Sequence, residues 1–119
     1  MGNPFCHVEL TTSDLGAARE FYSKMFDWQL QEYGGGGMPY VLINTGQEPG
    51  GGMMGLPMPG VPVAWGMYVA VDDLEASAAR LVELGGKVLM PRTEVPDMGW
   101  FIIASDPQGA AFGLWQTKM

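Results

Sequence analysis

FCHVELTTSDLGAAREFYSKMFDWQL, residues 5–30, decides the fold, because residues 65–90, WGMYVAVDDLEASAARLVELGGKVLM, repeat its plan. Pairing Asp14 with Asp73 sets an offset of 59 positions, and the two stretches then run together without a gap. Leu15 meets Leu74, Ala17 meets Ala76 and Leu30 meets Leu89. Further on, PYVLINTG (39–46) is similar to WFIIASDP (100–107), and GGMMGL (51–56) to GAAFGL (109–114). Self-similarity of this kind marks one supersecondary unit used twice.

Each half has the same internal grammar. A strand comes first, with Cys6, Val8 and Leu10 on one side and His7, Glu9 and Thr11 on the other. Its counterpart sets Met67, Val69 and Val71 against Gly66, Tyr68 and Ala70. Ser13 or Asp14, and Asp72 or Asp73, are short acceptors suited to capping a helix N-terminus. Helices are predicted over about 14–27 and 73–85. Leu15, Ala18, Phe21, Tyr22 and Met25 form one apolar stripe, and Leu74, Ala78, Leu81 and Val82 the other. Three short strands follow in each half, near 28–33, 39–45 and 51–56, then 87–91, 99–105 and 110–116. The turn-formers GGGG (34–37), GQEPGG (46–51) and SDPQG (105–109) separate them. The GGGG turn lacks the lysine and following helix of a phosphate loop.

Composition bounds the rest. With 119 residues and 47% hydrophobic content the chain suits one packed domain and is too short for two independent ones. The Pro-rich segment LPMPGVP (56–62) then divides module one, about 1–57, from module two, about 63–119. Gly, Pro or a charge interrupts every apolar run, so no membrane span is expected. One cysteine, Cys6, and no signal-peptide pattern in MGNPFCHVEL suggest a cytoplasmic setting. A net charge of −7 disfavours nucleic acid, whose phosphates it repels.

The phrases ELTTSDLGAAREFYSKMF, VDDLEASAARLVELGGKVL and SDPQGAAFGLWQ, carried on this duplication, resemble the glyoxalase/bleomycin resistance/dioxygenase (vicinal oxygen chelate) superfamily. The resemblance covers nearly the whole chain and is greatest to glyoxalase-like proteins of unassigned chemistry. It implies an α+β fold in which two tandem βαβββ modules form curved mixed sheets around a cavity, and a homodimer. In metal-dependent members of the family, His, Gln or Glu from the first and last strand of each module surround one divalent ion. The corresponding positions here are His7, Gly55, Gly66 and Gly113, so one donor stands where the pattern has four. A metal site normally takes at least three protein ligands. No metal or other cofactor is therefore expected.

The remaining candidates line the cavity that the fold implies. His7 is the sole histidine, and Glu9 shares its face about 6.5–7 Å along the strand. A carboxylate facing an enclosed cavity has a raised pKa and can carry a proton. Tyr68 and Trp115 share the phase of Gly66 and Gly113, while Tyr40, Trp65 and Trp100 stand at strand starts near the cavity mouth. Met53, Met54 and Met58 sit beside the glycines and the linker. Aromatic and methionine surface suits a planar or partly hydrophobic small molecule. The expected ligand-binding set is thus His7, Glu9, Tyr40, Met53, Trp65, Tyr68, Trp100 and Trp115. The leading expectation is a metal-free small-molecule-binding protein. The alternative is a glyoxalase-like lyase, isomerase or dioxygenase with His7 and Glu9 as metal ligands or as an acid–base pair. Cys6 is expected on the helix side as an inert thiol.

Overall fold

A computed structural model describes residues 2–33 and 39–118; the turn expected at 34–37 lies outside these residues. The order of elements is β1 (Phe5–Thr12), α1 (Leu15–Met25), β2 (Gln29–Tyr33), β3 (Tyr40–Asn44), β4 (Gly51–Gly55), β5 (Ala64–Ala70), α2 (Leu74–Glu83), β6 (Lys87–Val95), β7 (Gly99–Ser105) and β8 (Ala111–Thr117). This is βαβββ twice. The helices start where the sequence places an acceptor: Asp14 Oδ1 takes the Ala17 N–H and Asp73 Oδ1 the Ala76 N–H, each at 3.0 Å. α2 ends as its Gly85-Gly86 pair predicts, with the Gly86 N–H returning to the Leu81 carbonyl at 2.9 Å. β6 runs four residues beyond the expected 91, to Val95.

The expectation of two curved sheets resolves into one. All eight strands form a single mixed sheet in the order β2-β3-β4-β1-β5-β8-β7-β6. Inside each module the first strand pairs parallel with the last, β1 with β4 and β5 with β8. Between modules, β1 pairs antiparallel with β5 in the same chain. Tyr33 on β2 and Glu94 on β6, from opposite edge strands, line one cavity. The sheet must therefore wrap round on itself without closing.

Strand alternation sends one set of side chains to the helices. Leu10, Val41, Ile43 and Met53 pack beneath α1 with Leu15, Ala18 and Tyr22. Leu74, Ile102, Ala104 and Leu114 pack beneath α2 with Ala78 and Leu81. The outer part of each helical stripe stays in solvent: Phe21, Met25 and Val82 are exposed. Thr11 Oγ1 donates to the Pro62 carbonyl at 2.6 Å, which fastens the intermodule segment to β1. Among the described residues, no helix is long and apolar enough to cross a membrane.

Candidate functional site

The opposite face of the sheet carries His7, Glu9 and Thr11 on β1, and there a cavity of about 290 Å³ opens between the two halves. Its polar centre is Glu9, 7% exposed, gripped by one tyrosine on each side. Tyr40 donates its hydroxyl to Oε2 at 2.7 Å, and Tyr68 donates to Oε1 at 2.8 Å. His7 Nε2 lies 2.8 Å from the Tyr40 oxygen. A phenol has one proton, and a carboxylate attracts it more strongly than a neutral imidazole does. Tyr40 therefore spends its proton on Glu9, and Nε2–H of His7 is the donor to Tyr40.

Burial governs the electrostatics. It raises the Glu9 carboxyl above the usual carboxylate value, while the hydrogen bonds from Tyr40 and Tyr68 pull the other way. It lowers His7 below the ordinary imidazole value, which favours the neutral ring. Both phenols are pushed up by burial first and by the adjacent Glu9 charge second, so they remain protonated donors.

Two glycines make this arrangement possible. Gly52 pairs with Glu9 across β4 and β1, and Gly113 pairs with Tyr68 across β8 and β5. A Cβ on Gly52 would overlap the Tyr40 hydroxyl, and one on Gly113 would overlap the Tyr68 ring. Glu9 and Tyr68 hold equivalent places in the repeat, so Gly52 and Gly113 do too. The module-one position expected at Gly55 is thereby corrected to Gly52, because matching GGMMGL with GAAFGL residue by residue slips the register by three. Gly55 lies in the phase of Met53, on the face turned away from the cavity.

A divalent cation does not fit these residues. Of His7, Gly52, Gly66 and Gly113, only His7 has a donor side chain, and tyrosine rings take the space above Gly52 and Gly113. Among the described residues no three His, Cys, Asp or Glu side chains gather.

The cavity brings together His7, Glu9, Tyr40, Tyr68 and Trp115. Three expected members lie outside this cavity for reasons of strand phase, although Trp65 borders the second cavity described below. Met53 is fully buried under α1, and its neighbour Met54 lines the cavity instead. Trp65 faces α1, where its indole donates to the Tyr22 hydroxyl at 3.0 Å and its ring meets Trp28 edge-on. Trp100 packs on the α2 core under the cations of Arg92 and Lys118. Phe101, its neighbour, takes the cavity position and meets Tyr68 edge-on at 5.9 Å between centroids. Cys6 also departs from expectation: the pairing is irregular between Phe5 and His7, and Cys6 joins the cavity residues with Sγ 3.6 Å from the Tyr68 carbonyl. The phase of Gly52 selects Met54 over Met53, and the phase of Gly99 carried along β7 points to Phe101, which the sequence reading missed.

A second cavity of about 270 Å³ lies beside the first, under Val61, Pro62, Ala111 and Gly113. Glu9 and Tyr68 border both spaces. This pair is thus the partition between them.

The model of one protein family, the Glyoxalase/Bleomycin resistance protein/Dioxygenase superfamily, matches residues 5–114. "Putative glyoxylase CFP32" of Mycobacterium tuberculosis is 38% identical over 93% of this chain and 44% of its own length. "Anthracycline biosynthesis protein DnrV" of Streptomyces peucetius is 28% identical over 91% of this chain and 45% of its own. The chain therefore spans about half the length of these relatives. Among solved structures, methylmalonyl-CoA epimerase from M. tuberculosis superposes with a TM-score of 0.67 at 17% identity, covering 97% of this chain and 88% of the other. A superfamily member from Vibrio splendidus superposes at 0.64 with 14% identity, covering 97% and 99%. At such identities the likeness concerns the fold alone.

Proposed function

The chain belongs to the Glyoxalase/Bleomycin resistance protein/Dioxygenase superfamily, and we propose that it serves there as a metal-independent receptor for a small, partly hydrophobic or aromatic molecule. One observation carries this reading. At three of the four positions where the family pattern has metal donors this chain has glycine, and the space above Gly52 and Gly113 holds Tyr40 and Tyr68, which clasp Glu9. The cavity around that clasp is built from Leu42, Met54, Tyr68, Phe101 and Trp115, surfaces that bind planar apolar matter. The match to an anthracycline biosynthesis protein is in keeping with a polycyclic aromatic ligand.

The reading is tested on purified, unchelated protein by elemental analysis together with a thermal-shift and tryptophan-fluorescence screen of aromatic compounds. Substoichiometric metal and a saturable hit weakened by Tyr68→Ala or Trp115→Ala are expected. Stoichiometric nickel, zinc, manganese or iron retained through His7 overturns it.

A second reading is favoured by the Glu9 carboxyl, raised by burial and linked through Tyr40 to a neutral His7. That is a proton-carrying pair suited to a lyase or isomerase step. Turnover lost in His7→Ala and Glu9→Gln, with folding intact, would establish it.

The receptor reading includes a second copy of the chain as partner. Phe21, Met25 and Phe26 leave an exposed apolar face along α1, and the relatives have about twice this chain's length. Light scattering on a sized sample decides it, a monomer counting against the dimer.

A further inference from the structure

The cavity's hydrogen-bond donors are already committed inside the protein. Tyr40 and Tyr68 donate to Glu9. His7 Nε2–H is held by Tyr40. The Cys6 thiol points its proton at the Tyr68 carbonyl, Thr93 donates to the Pro91 carbonyl at 2.9 Å, and the Trp115 indole donates to Thr117 Oγ1 at 3.0 Å. Tyr33, on the edge strand, is the one lining side chain whose donor has no partner among the described residues.

Acceptors are in the opposite condition. A neutral imidazole that donates through Nε2 presents a lone pair at Nδ1, and Nδ1 has no partner among the described residues. Each Glu9 oxygen takes one phenol and has capacity for more. Among the described residues no lysine or arginine lines the cavity, and its charged residues are Glu9 and, at the rim, Glu94, which is ion-paired with Lys118. The rings of Tyr40, Phe101 and Trp115 offer faces that attract a cation.

Resting on the receptor reading above, we propose that the ligand is an aromatic cation bearing N–H donors, such as a protonated aromatic amine, and that aromatic carboxylates and phosphates are rejected. An anion entering this cavity meets lone pairs and a carboxylate, with its own water shell lost and almost no donor to replace it. An N–H cation finds the reverse. It can donate to His7 Nδ1 or Glu9 while its ring lies on the aromatic wall. The net charge of −7 draws it toward the protein before contact.

The test compares two probes of the same ring system by calorimetric titration: 9-aminoacridine, a cation at neutral pH, and acridine-9-carboxylate, an anion. The intact chain is expected to bind the amine at least about tenfold more tightly, close to 1.4 kcal/mol. Glu9→Gln should narrow or reverse that preference. Its amide donates to one tyrosine oxygen, which frees that tyrosine's proton for a ligand. Glu48→Gln, an equally acidic change outside the cavity, should leave the preference unchanged. Equal or tighter binding of the carboxylate overturns this inference and leaves the receptor reading standing. So does a preference that Glu48→Gln abolishes as fully as Glu9→Gln, since net charge alone then explains it. Absence of binding by both probes, with the cavity tryptophan unperturbed, counts against both.

Discussion

Glu9 and Tyr68 occupy the same place in the two halves of the chain, 59 residues apart, and they hydrogen-bond to each other at 2.8 Å. In the β1–β5 pairing the equivalent residues Val8 and Met67 stand directly opposite, so Glu9 and Tyr68, one residue along on each strand, lie diagonally across the same face. Identical residues there would have set carboxylate against carboxylate or phenol against phenol. Divergence to one acceptor and one donor turned that meeting into a bond, and Tyr40 closed the other side of the carboxylate.

Removing the phenol oxygens should therefore cost stability in a definite order. Tyr68→Phe strands one buried Glu9 oxygen, a loss of about 1–3 kcal/mol. Tyr40→Phe strands the other oxygen and the His7 Nε2–H as well, so it should cost more. Urea unfolding measures both. If Tyr40→Phe proves the milder of the two, His7, Tyr40 and Glu9 do not form a hydrogen-bonded chain.

The glycine assignment is open to an equally direct check. Gly52→Ala drives a methyl into the Tyr40 ring and Gly113→Ala drives one into Tyr68, and each should destabilise by about 1–3 kcal/mol. Gly55→Ala meets nothing nearer than the Thr12 carbonyl at 4.0 Å and should be close to neutral. Tyr40→Leu combined with Gly52→Ala should cost less than the two separate losses added together, because the obstructing ring is gone. A costly Gly55→Ala beside a silent Gly52→Ala would restore the register taken from the sequence.

That register slip shows where sequence reading stops. The repeat, both helix caps and the order of strands were legible, because offset, acceptor position and alternation are local properties of the chain. His7, Glu9 and Tyr68 followed from the same alternation. Trp65 and Trp100 do not, because strand phase and not nearness to a strand's start chooses the face. Met53 turns under α1 while Met54, one residue on, lines the cavity, so a place beside the glycines does not choose between them. The Tyr40–Glu9–Tyr68 clasp could not be read at all. It depends on the strand order β3-β4-β1-β5, in which Tyr40 reaches over Gly52 of β4 and Tyr68 comes from the adjacent β5, and local patterns do not encode that order.

Tryptophan fluorescence separates the faces. Of the four tryptophans, Trp115 alone lines the larger cavity. Trp115→Phe should abolish quenching by a bound aromatic probe, while Trp28→Phe, Trp65→Phe and Trp100→Phe retain it. Trp100→Leu should instead lower stability by about 0.5–1 kcal/mol for each cation it releases, Arg92 and Lys118. Quenching that follows Trp100 would place the ligand on the α2 side of the sheet.

Acid titration should expose His7 and Glu9 as opposing influences. Burial lowers His7 from 6.5, so in the window just below 6.5 the unfolded chain binds the extra proton. Its contribution is present above pH 6.5 and is lost as pH falls through the folded value. Glu9 is raised from 4.5, so here the folded chain binds the extra proton. Its contribution is present below pH 4.5 and is lost as pH rises through the folded value. His7→Gln should therefore reduce the loss of stability on acidification from pH 7, and Glu9→Gln should reduce the loss on raising pH from 4.5. Chemical unfolding at half-unit pH steps reads both slopes. If His7→Gln steepens the acid-side loss, His7 is charged in the folded state, and the assignment of its Nδ1 as an acceptor fails with it.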